Sequence, residues 1–525
     1  MSDQTFKNYG CKEPVPVARD IFDSLATQFP VCMASDEFHF FPQAKAGTFD
    51  WYCWDDFSPA ALAHTISQLT LWGEQLGRYG SSSRLSLARA IDTDMLRRVV
   101  LTLRDQLAFS GVVETQPTFY LTIVGIGLAE AFEAGQKAVK ARLRYLPDFL
   151  DQAARNLNHL PKLFRDLGIN MLAKQQKWLE SLSLPEAFRR PVNDAFHRLG
   201  THLRQSPVCE DFLLPMDFYE RIASDHIGCR LKPDDIAREL EMEIAESRSI
   251  LSELAATIAP HRPWWTVIEK LPRPAMPPNG MGEIYQETIA ELARHCSAQG
   301  LTTGDLIRQC PVLVEGIPDY MRPVRSNAAY SMPPVHPPFG GTFFIRETVK
   351  GEPVPADYRL LTAHETFPGH HLLDTCRWRH KRLVRRHIEF PLFYEGWASF
   401  AEELLFDTGF FSGPVDRMLM AGRRFWRAVR GQVDFDIHMR RRTLDEAAAF
   451  LASEGIDLFR AKAMVRRYCL KPGYQLSYTM GRRRFRRLYD TFCLQKKDPV
   501  AFARRVLAQG EIGFNHLEQI LRQGG

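Results

Sequence analysis

Two stretches hold the residues whose types and spacing could do chemistry. His364-Glu-Thr-Phe-Pro-Gly-His-His371 puts three imidazoles and one carboxylate within eight residues. Tyr394-Glu-Gly-Trp-Ala-Ser-Phe-Ala-Glu-Glu403 adds further carboxylates, the first of them, Glu395, 31 residues after His364. Neutral imidazole and carboxylate are what zinc takes as ligands at a catalytic site. A His-Glu pair, a nearby His and a downstream Glu make up the inventory of a zinc hydrolase. Two His and one Glu hold the metal, and the Glu beside the first His is the general base.

The spacing departs from H-E-x-x-H, in which two His at i and i+4 share one helix face and reach one ion. Here the position four after His364 is Pro368. Proline removes a backbone N–H and clashes with the carbonyl four residues back, so the helix must widen or kink there, and Gly369 allows it. With two extra residues in the bulge, His370 takes the place of the second ligand. His371 is the other candidate; in a regular helix it returns to the same face about 10 Å up the axis. Glu395 is the expected third ligand, with Glu402 and Glu403 as alternatives; Glu402 suits better the orienting of a His ligand from behind. Gly396 beside Glu395 permits close approach of another backbone.

HETFPGHHLL followed by YEGWASFAEELL resembles the bacterial domain-of-unknown-function 885 family. Further segments fit the same pattern: Tyr330-Ser-Met-Pro-Pro334, Gly341-Thr-Phe-Phe-Ile345, Val433-Asp-Phe-Asp-Ile-His438, Arg467-Tyr468 with Pro472-Gly-Tyr-Gln-Leu-Ser-Tyr478 and Gly481, and Ala141-Arg-Leu-Arg-Tyr-Leu-Pro147. The resemblance runs from about residue 131 to the C-terminus; the first 130 residues match poorly and lack the leader and lipoprotein cysteine of many relatives. It implies kinship with mostly helical, gluzincin-type zinc peptidases and one Zn2+ per chain. It also implies a late tyrosine that donates to the tetrahedral oxyanion, here Tyr478 with Tyr474 in reserve, and a transition-state role for His438. Arg467 is a candidate clamp for a substrate carboxylate, because its planar fork suits bidentate pairing; a surface salt bridge is the alternative. Tyr330, Phe343 and Phe344 contact either substrate or core.

The elements that must position these groups are mostly helices. Apolar residues at three- and four-residue spacing predict helices from Pro59 to Leu107 and through 131–260, with Pro147 and Pro161 opening helices. Trp51, Tyr52, Trp54 and Phe57 form a packing patch. Pro233-Asp-Asp235 opens a long amphipathic helix whose charged face is expected in solvent. Residues 261–350 turn proline-dense, and VLVEGIPDYM and AAYSMPP to GGTFFIRE read as extended segments. A hairpin or small sheet there could pair its edge with an extended peptide. Residues 415–525 are helical and rich in Arg (Arg423, Arg424, Arg427, Arg430, Arg440 to Arg442), a pattern read as a solvated face with one or two Arg turned to the site.

Composition bounds the rest. The 525 residues are 45% hydrophobic and 25% charged, ordinary for a globular protein. A net charge of +5 is too mild to argue for nucleic acid. No apolar run approaches the roughly 20 residues that span a bilayer. The first twenty residues carry no basic-then-apolar leader, so the expected location is cytoplasmic. Ten scattered cysteines without a C-x-x-C pair argue against a disulfide framework.

These readings combine into one expectation: a mostly α scaffold with a deep cleft, residues 1–130 a helical N-terminal subdomain and 131–525 a metallopeptidase-like catalytic domain. It would be a zinc-dependent peptidase of short peptides, a carboxypeptidase where Arg467 clamps a free carboxylate, with no nucleic-acid or membrane partner. The alternatives are a non-catalytic peptide-binding protein on the same scaffold and a zinc hydrolase of non-peptide amides or esters.

Overall fold

The computed structural model describes residues 17–43, 50–81, 85–182, 184–278, 280–318, 328–346, 352–496 and 498–523. The fold is mostly helical, and the chain divides into two compact units. No described helix is long and apolar enough to cross a membrane.

The first unit comprises residues up to Leu214 together with Ile317–Asn327 and Lys381–Ile388. Its main helices are α1 (Ala18–Gln28), α2 (Pro59–Gly80), α3 (Leu87–Phe109), α4 (Pro117–Ala134), α5 (Gln136–Asn156), α6 (Lys162–Ser181) and α7 (Glu186–Gln205). Helix α4 reads Pro-Thr-Phe-Tyr-Leu-Thr-Ile-Val-Gly-Ile-Gly and is buried almost all round. A helix apolar on every side needs neighbours on every side, and α4 packs on both α5 and α6. Residue 130 falls inside α4, so the opening 130 residues share this unit's core with the segment that follows. Pro161 caps α6, but Pro147 lies within α5 rather than at a helix start. The buried stripe Val139, Leu143, Leu146, Leu150 and Ala153 runs past it on one face and carries the helix through. The Trp54 and Phe57 patch packs as expected: Trp54 stacks on Phe149, and Phe57 meets Phe29, Phe119 and Tyr120.

The second unit comprises Pro215–Gly316, Ala328–His380 and Glu389 onward. Its main helices are α8 (Pro233–Ile258), α9 (Met281–Ala298), α10 (Tyr358–Glu365), α11 (His370–Trp378), α12 (Pro391–Asp407), α13 (Gly413–His438), α14 (Leu444–Ser453), α15 (Leu458–Tyr468), α16 (Leu476–Lys496), α17 (Pro499–Leu507) and α18 (Phe514–Gln523). Three strands, β1 (Val312–Gly316), β2 (Ala329–Ser331) and β3 (Gly341–Ile345), form one mixed sheet in the order β1-β3-β2. Strand β3 runs parallel to β1 and antiparallel to β2, with Tyr330 opposite Phe343. The extended reading of these segments thus holds, while the part of VLVEGIPDYM from Asp319 onward lies outside the described residues.

Two helix crossings build the frame of this unit, α12 on α16 and α8 on α13. At the first, a Cβ on Gly396 would stand 2.5 Å from the Gly481 Cα, and one on Gly481 would collide with the Leu392 carbonyl. Only glycine at both positions lets the two backbones touch, which fixes α12 directly against α16. At the second, most charged residues of α8, among them Asp234, Arg238, Glu241, Glu246 and Arg248, are exposed as expected, but Glu243 turns inward. Glu243 is fully buried and binds Arg424, Arg482 and Arg483. A buried carboxylate requires such partners, and the Arg-rich helices supply them. The long α13 stripe is correspondingly less solvated than its composition suggests: Arg423 and Arg424 are each 14% exposed and Arg427 is 6% exposed.

Candidate metal centre

Helix α10 ends at Glu365 and α11 begins at His370. The expected widening is a full break, because Pro368 offers no N–H and excludes a helical carbonyl four residues back. Across the break Gly369 N donates to Ala363 O at 3.1 Å and Leu372 N to Thr366 O at 3.2 Å. Each spans six residues, two more than in an α-helix, which is the offset that places His370 where a fourth-residue ligand would stand. Gly369 has no alternative: a Cβ there would sit inside the His364 and Ala363 carbonyls. Trp397 Nε1 donates to Pro368 O at 2.9 Å and ties the break to α12.

His364, His370 and Glu395 are all buried, and one ligand atom from each lies within 4.8 Å of the others. His364 Nε2 is 3.5 Å and His370 Nε2 3.6 Å from Glu395 Oε2. That oxygen is buried and has no hydrogen-bond partner. Metal–ligand bonds of 2.0–2.2 Å in a tetrahedron separate neighbouring ligand atoms by roughly 3.4 Å, so the spacing fits a small divalent ion. The donor set and the orphaned oxygen fit it as well.

Groups behind the trio orient it. Glu402 Oε1 lies 3.1 Å from His364 Nδ1 and accepts from Arg427 at 2.6 Å and from Arg423 at 3.1 Å. Burial alone would raise the Glu402 carboxyl, but Arg423 and Arg427 hold it well below the usual carboxylate range. Arg427 Nη2 lies 3.2 Å from the same Nδ1, so a carboxylate and a guanidinium both hold that edge of the ring and leave the Nε2 edge to the trio. His370 stacks on Tyr394, with ring centroids 3.9 Å apart, and the Tyr394 hydroxyl donates to Asp374 at 3.2 Å. For Glu395, burial again opposes ionisation, and the two imidazoles outweigh it and hold the carboxyl well below its ordinary value.

His371 is otherwise engaged. Its Nε2 donates to Cys310 O at 2.9 Å, and Tyr330 Oη, 2.9 Å from Nδ1, donates to that nitrogen. Burial lowers its pKa to about 4, so it stays neutral and clamps the sheet to α11. Tyr330 is buried in the same contact and packs beneath Gly341.

Glu365 follows His364 directly. Desolvation, with the Glu395 charge adding to it, pushes its carboxyl up to about 7, against the pull of His370, Arg423 and Arg427. A carboxyl poised near neutrality beside such a trio is suited to pass protons. Tyr474 donates to Glu395 Oε1 at 2.6 Å, and the ring of Tyr478 lies 5.9 Å from that of Tyr474. Burial and the Glu395 charge push both phenols far above their ordinary value, so both remain donors.

Two expected site residues stand apart from this constellation. His438 stacks on Tyr219 at 5.0 Å, and its Nε2 is 3.7 Å from Asp434 Oδ1. Asp434 in turn accepts from Gly473 N and Gln475 N at 3.0 Å each, so His438 backs the turn that delivers Tyr474. Arg467 is exposed at the end of α15. Arg423, Arg427 and Tyr394 were not singled out from the sequence; the spacing of Arg423, Arg427 and Arg430 at i, i+4 and i+7 on α13 is the signal that could have found the first two.

A second acidic group, Asp374, Glu389 and Glu511, is already occupied by a cation of the chain itself. The buried Arg377 guanidinium lies 2.8, 3.4 and 3.3 Å from the three carboxylates.

A mostly helical protein with a buried His-His-Glu group is the class that fold and site define. The chain belongs to the family described as bacterial protein of unknown function (DUF885), which matches residues 43–521. Among curated proteins none matches. Among solved structures, a putative lipoprotein from Colwellia psychrerythraea superposes with a TM-score of 0.78 at 17% identity, over 96% of this chain and 97% of that one. A putative lipoprotein of unknown function from Shewanella oneidensis superposes with a TM-score of 0.69 at 15% identity, over 96% and 98%. These likenesses extend the fold across almost the whole chain.

Proposed function

We propose that this protein is a zinc-dependent metallopeptidase of gluzincin type that hydrolyses short peptides in a cleft of the second unit. The observation that carries the reading is the convergence of His364 Nε2 and His370 Nε2 on the partnerless Glu395 Oε2, with Glu365 next in the chain. Zinc held by these three residues would supply Lewis acidity and a water of lowered pKa. Glu365 takes a proton from the attacking water and delivers it to the leaving amine. Tyr478, with Tyr474 beside it, donates a hydrogen bond to the carbonyl oxygen as that atom gains charge. Glu402, Arg423 and Arg427 hold the His364 ring from its Nδ1 edge, and Tyr394 holds the plane of the His370 ring.

The test is metal content beside turnover of an N-acetylated peptide library. The expected result is about one zinc per chain, lost in His364→Ala, and a Glu365→Gln variant that keeps the metal and loses hydrolysis. Metal-free protein after supply with zinc, or full activity in Glu365→Gln, rejects the reading.

A further inference from the structure

Helix α13 presents Arg423, Arg427 and Arg430 on one face toward the candidate metal centre. The first two are consumed by carboxylates: Arg423 by Glu402 and Asp357, Arg427 by Glu402. Arg424, one position round the helix, is consumed by Glu243. Arg430 is the exception. Among the described residues no carboxylate stands within ion-pair distance of it, and its Nε is buried with no hydrogen-bond partner. Its guanidinium lies over the Tyr478 ring, 5.1 Å from the centroid, and that ring lies 5.9 Å from the ring of Tyr474, which donates to Glu395. Arg430 is nevertheless only half-buried, so a solute can reach it.

A desolvated guanidinium nitrogen without a partner is costly unless something supplies an acceptor. A planar fork with donors to spare recognises a carboxylate in bidentate fashion. The Arg427 guanidinium lies 5.9 Å from the Tyr478 ring and the Lys471 ammonium 5.7 Å from the Tyr474 ring, so two further cations stand by these tyrosines. We propose that Arg430 binds the C-terminal carboxylate of the substrate, which makes the enzyme a carboxypeptidase. One extended residue spans about 3.5 Å. A peptide whose scissile carbonyl faces the Tyr478 hydroxyl therefore brings a chain end to Arg430, 5.1 Å from the centroid of the same ring, after one or two residues. The inference rests on the metallopeptidase reading and assigns the clamp role to Arg430 in place of the exposed Arg467.

The experiment uses one pool of N-acetylated tripeptides with free carboxyl ends and the same pool as C-terminal amides. Binding is read by equilibrium dialysis and mass spectrometry on zinc-supplied Glu365→Gln and on Glu365→Gln/Arg430→Gln. Turnover is read on the wild type, Arg430→Gln, Arg430→Lys and Arg467→Gln. The expected result is a preference for acids over amides of about 30-fold or more, the scale of a lost partner in a buried charge pair. That preference should collapse in both Arg430→Gln backgrounds, recover in part in Arg430→Lys and survive in Arg467→Gln, while weak amide binding is unchanged. Equal binding of acids and amides, or a preference indifferent to Arg430, overturns the inference and leaves the peptidase reading standing. Acid-selective binding without turnover in the wild type keeps Arg430 as a carboxylate anchor and removes the peptidase reading instead.

Discussion

Glu402 Oε1 stands 3.1 Å from His364 Nδ1, on the side of the imidazole opposite Glu395. The two glutamates of α12 thus hold one ring from both edges, seven residues apart and on one face of the helix. Replacing Glu402 by Gln removes the negative charge beside His364 Nδ1 and leaves Arg423 and Arg427 short of a partner. Metal affinity should fall about 10- to 100-fold, the usual cost of losing such an outer partner. Competition with a chromogenic chelator measures it, and unchanged affinity would mean that Glu402 serves only to neutralise the arginines.

Gly369 is the narrowest point of the site. Its hydrogen atoms face the His364 and Ala363 carbonyls, where a Cβ has no room. Gly369→Ala must push α10 and α11 apart and so separate His364 from His370. Overpacking of this kind costs about 1–3 kcal/mol, small enough for the protein to fold, while the metal site loses its second ligand. Circular dichroism close to wild type together with loss of bound zinc is the expected pair of results. Zinc retained at full stoichiometry would move the second ligand away from His370.

How far the site can be read from sequence depends on how local its geometry is. His364, Glu365 and Glu395 are legible because their chemistry is local to two helices. The choice between His370 and His371 is not: it turns on Tyr330 and on the Cys310 carbonyl, both of which approach from the sheet. The helical character of α8 and α13 follows from their periodicity. Their burial does not, because Glu243 and Arg482 pair across 239 residues of sequence. A charged stripe looks the same whether it meets water or an opposite stripe, so the arginines of α13 appear solvated until the partner helix is placed. Pro147 fails as a helix start for a similar reason, since the apolar stripe it interrupts is buried on both sides of it.

His438 makes a pH prediction separable from catalysis. Burial lowers its pKa from 6.5 to about 4, and both ring nitrogens lack a hydrogen-bond partner. Between pH 6.5 and 4 the unfolded chain binds this proton and the folded chain does not. The contribution of His438 to stability is therefore complete above about pH 6.5 and is lost as pH falls toward 4, by up to about 3 kcal/mol at 1.4 kcal/mol per unit. Asp434 beside it is pushed up to about 7 by burial, against the two backbone amides that bind it, and acts in the opposite sense; it is common to wild type and variant. His438→Phe keeps the stack on Tyr219 and removes the titration. Urea unfolding at pH 7.5 and pH 5 should show the variant gaining on the wild type at the lower pH. Parallel loss in both proteins would mean that His438 is charged in the fold.

The Arg377 cluster contrasts the two ways of disturbing a buried ion group. Arg377 is 1% exposed and meets Asp374, Glu389 and Glu511 at once. Three acids against one base cannot all ionise in so dry a place. Burial first, and then the charge of Glu389, push Glu511 well above its usual range. Removing the base strands the acids, and Arg377→Met should cost about 3–5 kcal/mol, seen as a lower urea midpoint. Because Asp374 also holds Tyr394 against His370, that variant should weaken metal binding as well. Glu511→Gln mimics the protonated acid and keeps an acceptor for Phe390 N, so it should cost far less than Arg377→Met. A carboxyl raised in the fold weakens stability as pH rises through its folded pKa. Glu511→Gln should therefore gain on the wild type as pH rises, and a loss instead would show that Glu511 is ionised and paired with Arg377.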